Sequence, residues 1–465
     1  MPKEPHAKPS EVGRKAKAAK APPPPPPNRP QQCHFYVARK HRYCSLPAKR
    51  TNKYCGEHLI EQQKDGTDEI SNKRIPCPYD PSHTIFEKDL DNHLKTRCNS
   101  RPKPPEEHYA VNVNCTLPLS QEELEFQKTL NLHKVMKTQP WIARIRLAEL
   151  PKQELDELIV KVQKAYTDHV PTIEKDVQTH EATMDRRQAV QITKHIDQQS
   201  SLLGHMKLAG MLDDKKACFI EFGAGELSNY LKAAVAEENG EATYVLVDRK
   251  NVRGKYDPAL LGRGTNPSTV QRIQIDIKDL DLSKVKSLLD SDGRKKKMVA
   301  LSKHLCGSAT DITLKCLMNY VDHERATGNN PQPISGIIIA LCCHQLCRIE
   351  MYPNTEYLKQ IGLNKLDFDR MCKMSSWAIC GRPAEAQEDE HSEMTQEAAD
   401  ADLTSGHYSG RDHVEREKIG YQCKRVLDAG RLEFLQQHGF ETRLVYYVDP
   451  ETSLENCALI AVPQQ

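Results

Sequence analysis

The sequence predicts an α/β domain built on a parallel sheet, preceded by two small zinc-binding modules and a helical segment. Three observations support this fold class. Short apolar runs alternate with segments of helical pattern over residues 213–465, the first run ends in a glycine turn, and eight cysteines and histidines form two compact groups near the start. Because a strand, a crossover helix and the next strand form a right-handed unit, the alternation predicts neighbouring parallel strands.

The first unit reads as a strand, a glycine turn, a helix and a second strand. Gly223 and Gly225 allow a tight turn in which backbone N–H groups can approach a ligand. Asp248 follows Gly225 by 23 residues, at the distance where a carboxylate can bind both ribose hydroxyls. The third glycine of a dinucleotide fingerprint is replaced by Ser228, so a pyrophosphate is not expected. With Glu221 the pattern is E-x-G-x-G, as expected at an S-adenosylmethionine site, although an ordinary α/β glycine turn would look similar.

Length and composition narrow the class of protein. A chain of 465 residues has room for about three domains, and a hydrophobic content of 38% indicates that part of it is linker. No apolar run approaches the roughly 20 residues that a membrane helix needs, and the start does not read as a signal peptide. These features predict a soluble intracellular protein without separating nucleus from cytoplasm. Sixteen cysteines in that compartment indicate metal ligands and buried thiols.

The net charge of +2 conceals an asymmetry along the chain. Residues 1–105 contain 21 Lys plus Arg and 11 Asp plus Glu, a formal charge of +10, which leaves about −8 for the remainder. A basic front end joined to an acidic body predicts an anionic partner held by the front. Residues 1–30 are rich in Lys, Ala and Pro and are predicted to form a disordered tail.

Two groups of four metal ligands follow this tail. The first group lies within residues 31–60 and has three cysteines at eleven-residue steps and a histidine three residues later; the second lies within residues 74–101. The predicted ligands are Cys33, Cys44, Cys55 and His58 in the first group, and Cys77, His83, His93 and Cys98 in the second. Four such ligands fit a closed tetrahedral zinc site. Modules this small need the metal, which contributes on the order of 10 kcal/mol to folding.

Residues 102–119 are predicted to be a linker, and residues 120–212 a helical segment interrupted by prolines. One stripe of the helical segment is amphipathic and predicts packing against the chain's own domains, with a partner helix as the alternative: Leu155, Leu158, Ile159 and Val162. In the last of these helices His195 and Gln199 share one face. They either line a site or serve ordinary capping and packing.

Three further strands are predicted at residues 272–277, 297–302 and 334–341. Asp276, near the end of the first of these, could accept a hydrogen bond from an adenine amino group. In open α/β sheets ligands bind outside the carboxyl ends of the strands, so Lys303 and His304 are expected to face the ligand.

The end of the chain completes the predicted sheet. An acidic, irregular insert is predicted near residues 382–411, a long helix over residues 414–438, and then a terminal hairpin. A hairpin after five alternating units is the typical ending of a seven-stranded methyltransferase sheet.

Taken together, these motifs resemble eukaryotic tRNA 2′-O-methyltransferases of the Trm13 type, which modify the fourth nucleotide of the acceptor stem. The resemblance runs from about Cys33 to the C-terminus and rests on the two fingers, H-x-x-Q-Q-x-S-L-L at His195, E-F-G-A-G-E-L-S at Glu221, K-H-L-C-G at Lys303 and C-C-H at Cys342. The second finger is also similar to one in a minor-spliceosome protein. The resemblance implies a seven-stranded class I (Rossmann-like) fold, S-adenosylmethionine as methyl donor and tRNA as substrate; it names no protein partner.

In such a reaction a ribose 2′-OH loses its proton as it attacks the methyl group, which calls for a base or a cation. Because Lys303 and His304 lie at a predicted strand end, His304 is the predicted base and Lys303 the predicted stabiliser of the developing alkoxide. The two roles could be exchanged. The alternative is that both side chains only shape the turn.

Three other interpretations stay open on the residues alone. Cys306 with Cys342 or Cys343 resembles the thiol placement of RNA 5-methylcytosine methyltransferases, although the Pro-Cys context is missing. The same cysteines, with His344 and Cys347, could bind a metal, although buried structural thiols are commoner. Finally, the chain could be a non-catalytic zinc-finger component in RNA binding or splicing.

Overall fold

A computed structural model describes residues 25, 29–37, 42–49, 52–58, 74–81, 83–98, 106–121, 124–125, 145–223, 227–236, 241–249, 268–328, 330–379 and 406–464. Almost all of the predicted tail, almost all of the predicted acidic insert, and Gly225 lie outside these residues. The chain divides into two compact units, Met1–Pro104 and Pro105–Gln465.

The first unit contains two short antiparallel hairpins. Strand β1 (Tyr36–Val37) pairs with β2 (Arg42–Tyr43), and β3 (Arg74–Pro76) pairs with β4 (Thr84–Phe86). A short helix, α1 (Leu90–Asn92), continues as the helical turns His93–Arg97. Hairpins whose strands have only two or three residues cannot build a hydrophobic core of their own, so metal ligation has to supply their stability.

The second unit is a mixed α/β body. Its helices are α2 (Lys152–His169), α3 (Met184–Gln188), α4 (Lys194–Leu208), α5 (Ser228–Val235), α6 (Ser308–Thr327), α7 (Thr355–Gln360), α8 (Lys365–Met374) and α9 (His413–Gln437). Its strands are β5 (Glu174–Lys175), β6 (Cys218–Phe222), β7 (Thr243–Asp248), β8 (Thr269–Gln274), β9 (Met298–Cys306), β10 (Ile334–Cys342), β11 (Phe440–Tyr446) and β12 (Cys457–Pro463).

In the described part of the chain these strands form one eight-stranded sheet in the order β8-β7-β6-β9-β10-β12-β11-β5. Strands β8 to β10 in this order are parallel, whereas β12 is antiparallel to both β10 and β11. The sheet therefore has one strand more than the seven that the sequence predicts. The additional strand, β5, pairs with Val445 and Tyr446 through its backbone while both of its charged side chains stay exposed, so it has no apolar pattern to reveal it.

Two other predicted strands are shifted. The strand expected at residues 272–277 is β8, which ends at Gln274, because Ile275 leaves the ladder yet still packs in the core. The strand expected to end at residue 302 continues to Cys306, because Leu305 returns to the core beside Leu341 of β10.

Alternate residues of the central strands bury on opposite faces of the sheet. In β6, Ile220 and Phe222 join one hydrophobic cluster, whereas Phe219 joins the other with Tyr244 of β7. Both faces are covered, which explains the continuous apolar runs in the sequence.

A third hydrophobic cluster lies between α2, α8 and α9. The predicted apolar stripe of α2, including Leu158 and Val162, is buried in this cluster, so its predicted packing against the chain's own domain is confirmed. Helix α9 begins after a capping box formed by Asp412 and Glu415.

The described part of the predicted linker, residues 106–119, packs on the second unit. Asn114 is 1% exposed and donates hydrogen bonds to the carbonyl oxygens of Ile277 (2.6 Å) and Leu280 (2.8 Å). These carbonyl oxygens lie more than 160 residues away in sequence, so no sequence periodicity predicts the contacts. Among the described residues, the helices fall short of the length and apolarity needed to cross a membrane.

Candidate zinc sites and active site

The first predicted zinc group is assembled around one point. The ligand atoms of Cys33, Cys44, Cys55 and His58 all lie within 4.8 Å of one another. Nδ1 of His58 is 3.3 Å from Cys55 Sγ and 3.6 Å from Cys33 Sγ. With Zn–N near 2.0 Å and Zn–S near 2.3 Å, tetrahedral ligands are about 3.3–3.8 Å apart, so the spacing fits zinc. The ring of Phe35 stacks on His58 at 3.9 Å and holds its orientation.

The second group has the same geometry. Cys77 Sγ and Cys98 Sγ are 3.6 Å apart, and the Nε2 atoms of His83 and His93 are 3.1 Å apart. Nδ1 of His83 lies 3.6 Å from the carboxylate of Asp80, the type of outer partner that orients a metal-bound imidazole. Both predicted ligand sets are thus brought together, and their donor atoms fit structural zinc.

At the carboxyl end of β6 the backbone makes a turn that requires glycine. Gly223 has φ of 126°, and its N–H donates to the carbonyl oxygen of Val247. A Cβ at this position would lie 3.3 Å from the carbonyl oxygen of His304. A side chain would therefore strain the turn and press on β9, so glycine allows the ends of β6 and β9 to approach closely.

Glu221 is used inside the fold. It is 3% exposed, and its carboxylate accepts hydrogen bonds from the backbone N–H groups of Leu227 (3.3 Å) and Ser228 (2.8 Å) and from the Ser228 hydroxyl. These bonds cap the start of α5. Burial raises the pKa of the Glu221 carboxyl, and the hydrogen bonds oppose that shift.

Asp248 and Asp276 lie at neighbouring strand ends on the same edge of the sheet. Asp248 is the last residue of β7 and pairs with Gln274 of β8. Asp276 follows β8 by two residues, accepts a hydrogen bond from the Lys278 N–H at 3.2 Å, and lies 3.8 Å from the Arg249 guanidinium. Both are half-buried.

Lys303 and His304 occupy a β-bulge in β9. Ser302 pairs with Ile339 and Leu305 with Leu341, so three steps on β9 match two on β10. A bulge changes the direction of side chains and is common beside active sites. Here it buries Lys303, which is 4% exposed, and leaves His304 exposed.

The structure adds His195 to this pair. Lys303 Nζ lies 3.3 Å from His195 Nδ1, at which distance the ammonium donates a hydrogen bond to the ring nitrogen. One helical turn further, Gln199 is 1% exposed, and its Nε2 has no hydrogen-bond partner among the described residues. The signals in the sequence were the shared helix face of His195 and Gln199 and the H-x-x-Q-Q-x-S-L-L motif that contains both residues. The side chains of Ser200 and Ser201 on this helix are hydrogen-bonded within the fold.

The cysteines at the strand ends separate into two sets. Cys306, Cys342 and Cys343 have their sulfur atoms within 4.8 Å of one another. The neighbouring thiols donate to Cys306 and lower its pKa to about 4. His344 and Cys347 belong elsewhere: His344 Nε2 donates to Asp428 at 2.8 Å, and Cys347 Sγ accepts from Arg431 at 3.1 Å.

With this geometry in place, comparison with known proteins identifies the family. Residues 197–462 match the family described as Methyltransferase TRM13. The chain belongs to the TRM13 methyltransferase family. Residues 31–59 match the CCCH zinc finger in TRM13 protein, and residues 74–99 match the U11-48K-like CHHC zinc finger. The resemblance inferred from the sequence is confirmed, as is the prediction of an enzyme.

Curated relatives in the TRM13 family align over nearly their whole length. The mouse protein "tRNA:m(4)X modification enzyme TRM13 homolog" is 34% identical, covering 93% of this chain and 94% of its own. The human protein of that name is 31% identical with the same coverage. The Schizosaccharomyces pombe protein "tRNA:m(4)X modification enzyme TRM13" is 35% identical, covering 84% of this chain and 95% of its own.

Proposed function

We propose that this chain transfers a methyl group from S-adenosylmethionine to the ribose 2′-OH of the fourth nucleotide in the tRNA acceptor stem. The observation that carries the proposal is the buried Lys303 ammonium, held by a bulge in β9 and by His195 at a strand end of a TRM13-family domain. The printed names of the relatives, which are tRNA modification enzymes, support the choice of substrate.

We further propose that β6 to β12 form the seven-stranded sheet of a class I methyltransferase, with β5 as an addition at the edge. The strand order supports this, because five parallel strands are followed by the reversed strand β12. The order changes direction between β6 and β9, and open α/β sheets bind ligands at such a switch point. Gly223, Lys303 and His304 lie there.

The residues present fit the methyl donor. Gly223 makes the tight turn at the end of β6, and Asp248 and Asp276 offer carboxylates along the same edge. Gln199 offers a buried amide donor that has no partner among the described residues. We assign the ribose to Asp248, the adenine to Asp276, and the shape of the turn to Glu221, Gly223 and Gly225. When bound, S-adenosylmethionine supplies an electrophilic methyl group on a cationic sulfonium.

The chain's own side chains handle the proton and the charge. His304, exposed at the bulge, takes the proton of the ribose 2′-hydroxyl, and the Lys303 ammonium stabilises the negative charge that grows on that oxygen. His195 accepts a hydrogen bond from Lys303 and so fixes its direction. An ammonium group that is already in position does not have to rearrange during the reaction. A fixed Lys303 therefore stabilises the charge on the oxygen better than a mobile lysine would.

The substrate is an anion larger than the catalytic edge. The formal charge of +10 over residues 1–105 and the two zinc modules support a role for the front unit in binding tRNA phosphates. Folded RNA is recognised largely by shape and backbone contacts, which suits small rigid modules.

The test is transfer of labelled methyl from S-adenosylmethionine to total tRNA, followed by nucleoside analysis and mapping of the modified position. We expect a 2′-O-methylated fourth nucleotide in the acceptor stem. Lys303→Met should lower kcat by about 100-fold or more while donor binding is retained. Lys297→Met is the matched control, because Lys297 is exposed and precedes β9 at its opposite end. Label on cytosine C5 would contradict the proposal and favour the strand-end cysteines. Donor binding without any transfer would favour a binding role.

A further inference from the structure

A third group of side chains that can bind a metal lies in the second unit. Cys306 ends β9, Cys342 ends β10, and Cys343 follows directly. Their sulfur atoms lie within 4.8 Å of one another, as the donor atoms of each zinc finger do. The family match and the names of the relatives assign nothing to these thiols.

The backbone brings the three sulfurs together in an unusual way. Cys306 and Cys342 are paired neighbours on parallel strands. Consecutive residues of a strand point to opposite faces, so Cys343 would normally turn away from Cys342. Instead Cys343 has φ of 52° and ψ of 42°, a left-handed conformation that costs a non-glycine residue on the order of 1 kcal/mol. That conformation is what keeps its thiol with the other two.

The spacing of the sulfurs is that of zinc thiolates. Cys342 Sγ lies 3.7 Å from Cys306 Sγ, against 3.6 Å between Cys77 and Cys98 of the second finger. Two thiolates on a tetrahedral zinc ion are about 3.8 Å apart. A disulfide would need about 2.05 Å, so the present arrangement suits a shared ion.

The charged groups beside the three thiols are paired with each other. The Cys343 N–H donates a hydrogen bond to the Glu455 carboxylate at 3.3 Å, which fixes the turn. The side chain of Lys424 is 1% exposed, and its Nζ lies 2.8 Å from the same carboxylate. This lysine offsets the charge of Glu455. Soft thiolate ligands select zinc-type ions over magnesium or calcium.

We propose that Cys306, Cys342 and Cys343 bind a third zinc ion through three thiolates, with a water molecule in the fourth position. Each thiol releases its proton to solvent as the ion binds. The ion joins the end of β9 to the end of β10. Its ligand Cys306 directly follows Leu305, the residue after the bulge. The inference does not depend on the methyl-transfer reaction.

The test is the zinc content of the purified full-length chain, measured by mass spectrometry after removal of free metal under reducing conditions. We expect three zinc ions per chain, two in Cys306→Ser, and three in Cys316→Ser. The control cysteine is buried on α6, where its sulfur contacts the Leu280 carbonyl oxygen instead of other thiols. Two ions in the unmodified chain, or the same content in the chain and Cys306→Ser, would overturn the proposal.

Cobalt substitution gives a second readout that needs no variant. The two fingers alone would contribute five cobalt–thiolate bonds, and the third site raises the total to eight. The intensity of the sulfur-to-cobalt charge-transfer band should scale with that number, and a five-thiolate intensity would contradict the site. If Cys306→Ser does not fold, Cys343→Ala should lose the third ion, because only two of the three thiolate ligands remain. Methyl transfer is assayed separately, so a failure of either idea is recognised by itself.

Discussion

Lys303 shows how one side chain depends on distant parts of the chain. Its ammonium is almost buried, and its contact with His195 joins residues 108 positions apart in sequence. Buried charged groups need partners, since an unpaired one would be costly to desolvate. The imidazole is therefore a positioning residue for Lys303, which leads to a prediction that a merely structural role would not satisfy.

Replacing His195 with Ala should lower kcat by about tenfold or more and leave KM for tRNA nearly unchanged, because Lys303 loses its direction but the substrate surface is intact. Single-turnover methyl transfer at saturating tRNA measures this. Lys194→Ala, at the neighbouring exposed position of α4, is the control. A rise in KM without a change in kcat would assign His195 to substrate binding instead.

Glu221 predicts a pH effect on stability. Burial raises the pKa of this carboxyl in the folded chain above its unfolded value near 4.3. Its contribution is complete below the unfolded pKa and is lost as the pH rises through the folded pKa, where the buried group must ionise. Glu221→Gln keeps an acceptor for the Ser228 N–H but cannot ionise.

We therefore expect the unfolding midpoint in urea of the original chain to fall relative to Glu221→Gln as the pH is raised from 5 to 8. Donor-free protein is used, so that a bound cation does not favour the carboxylate. A difference that stays constant over this range, or one that grows in favour of the original chain, would show that the capping bonds outweigh burial.

The strands and ligand sets that could be predicted are those marked by a pattern within a short stretch of sequence. The central strands could be read from apolar runs that both faces of the sheet bury, and all eight zinc ligands could be read from their spacing, since each set lies within a short stretch. The β9 bulge could not be read, because Ser302 and Lys303 look like the end of a strand. Strand β5 has no side-chain signal at all.

Gly307, at the junction of β9 and α6, gives a prediction about this connection. Its φ is 54° with ψ of −119°, and an added Cβ would lie 2.6 Å from Leu346 Cβ and 2.9 Å from the Cys343 carbonyl oxygen. Gly307→Ala should combine backbone strain with a clash and lower the free energy of unfolding by about 3 kcal/mol or more.

Gly293→Ala separates the two causes. Gly293 also has a positive φ, 76°, but nothing lies within 4 Å of its added Cβ, so that variant should lose only about 1 kcal/mol. Denaturant unfolding of both variants, followed by the fluorescence of Trp377 and Trp141, measures the difference. Equal losses would mean that the turn relaxes and that its close packing carries no energy.

At the scale of the whole molecule, the chain joins a basic, metal-dependent front unit to a catalytic unit with its own cores. The formal charges of about +10 and −8 support the proposal that the front unit attracts the RNA. Family membership confirms the order of fingers and methyltransferase domain that the sequence predicts. Charge and spacing could not reveal which tRNA surface is contacted, since that depends on the arrangement of both units around the substrate.

Removing residues 1–104 should leave donor binding unchanged, because the second unit keeps all of its hydrophobic clusters, and should weaken tRNA binding. Each phosphate contact releases counterions from the tRNA when the complex forms. With fewer contacts, the slope of log K against log salt concentration should become shallower. Titrations of tRNA at several salt concentrations measure both quantities. Cys77→Ala in the full chain separates fold from charge, since it breaks the second zinc group but keeps every basic residue. If that variant binds tRNA as tightly as the original chain, the second zinc module contributes only its basic residues and has no part in placing the RNA.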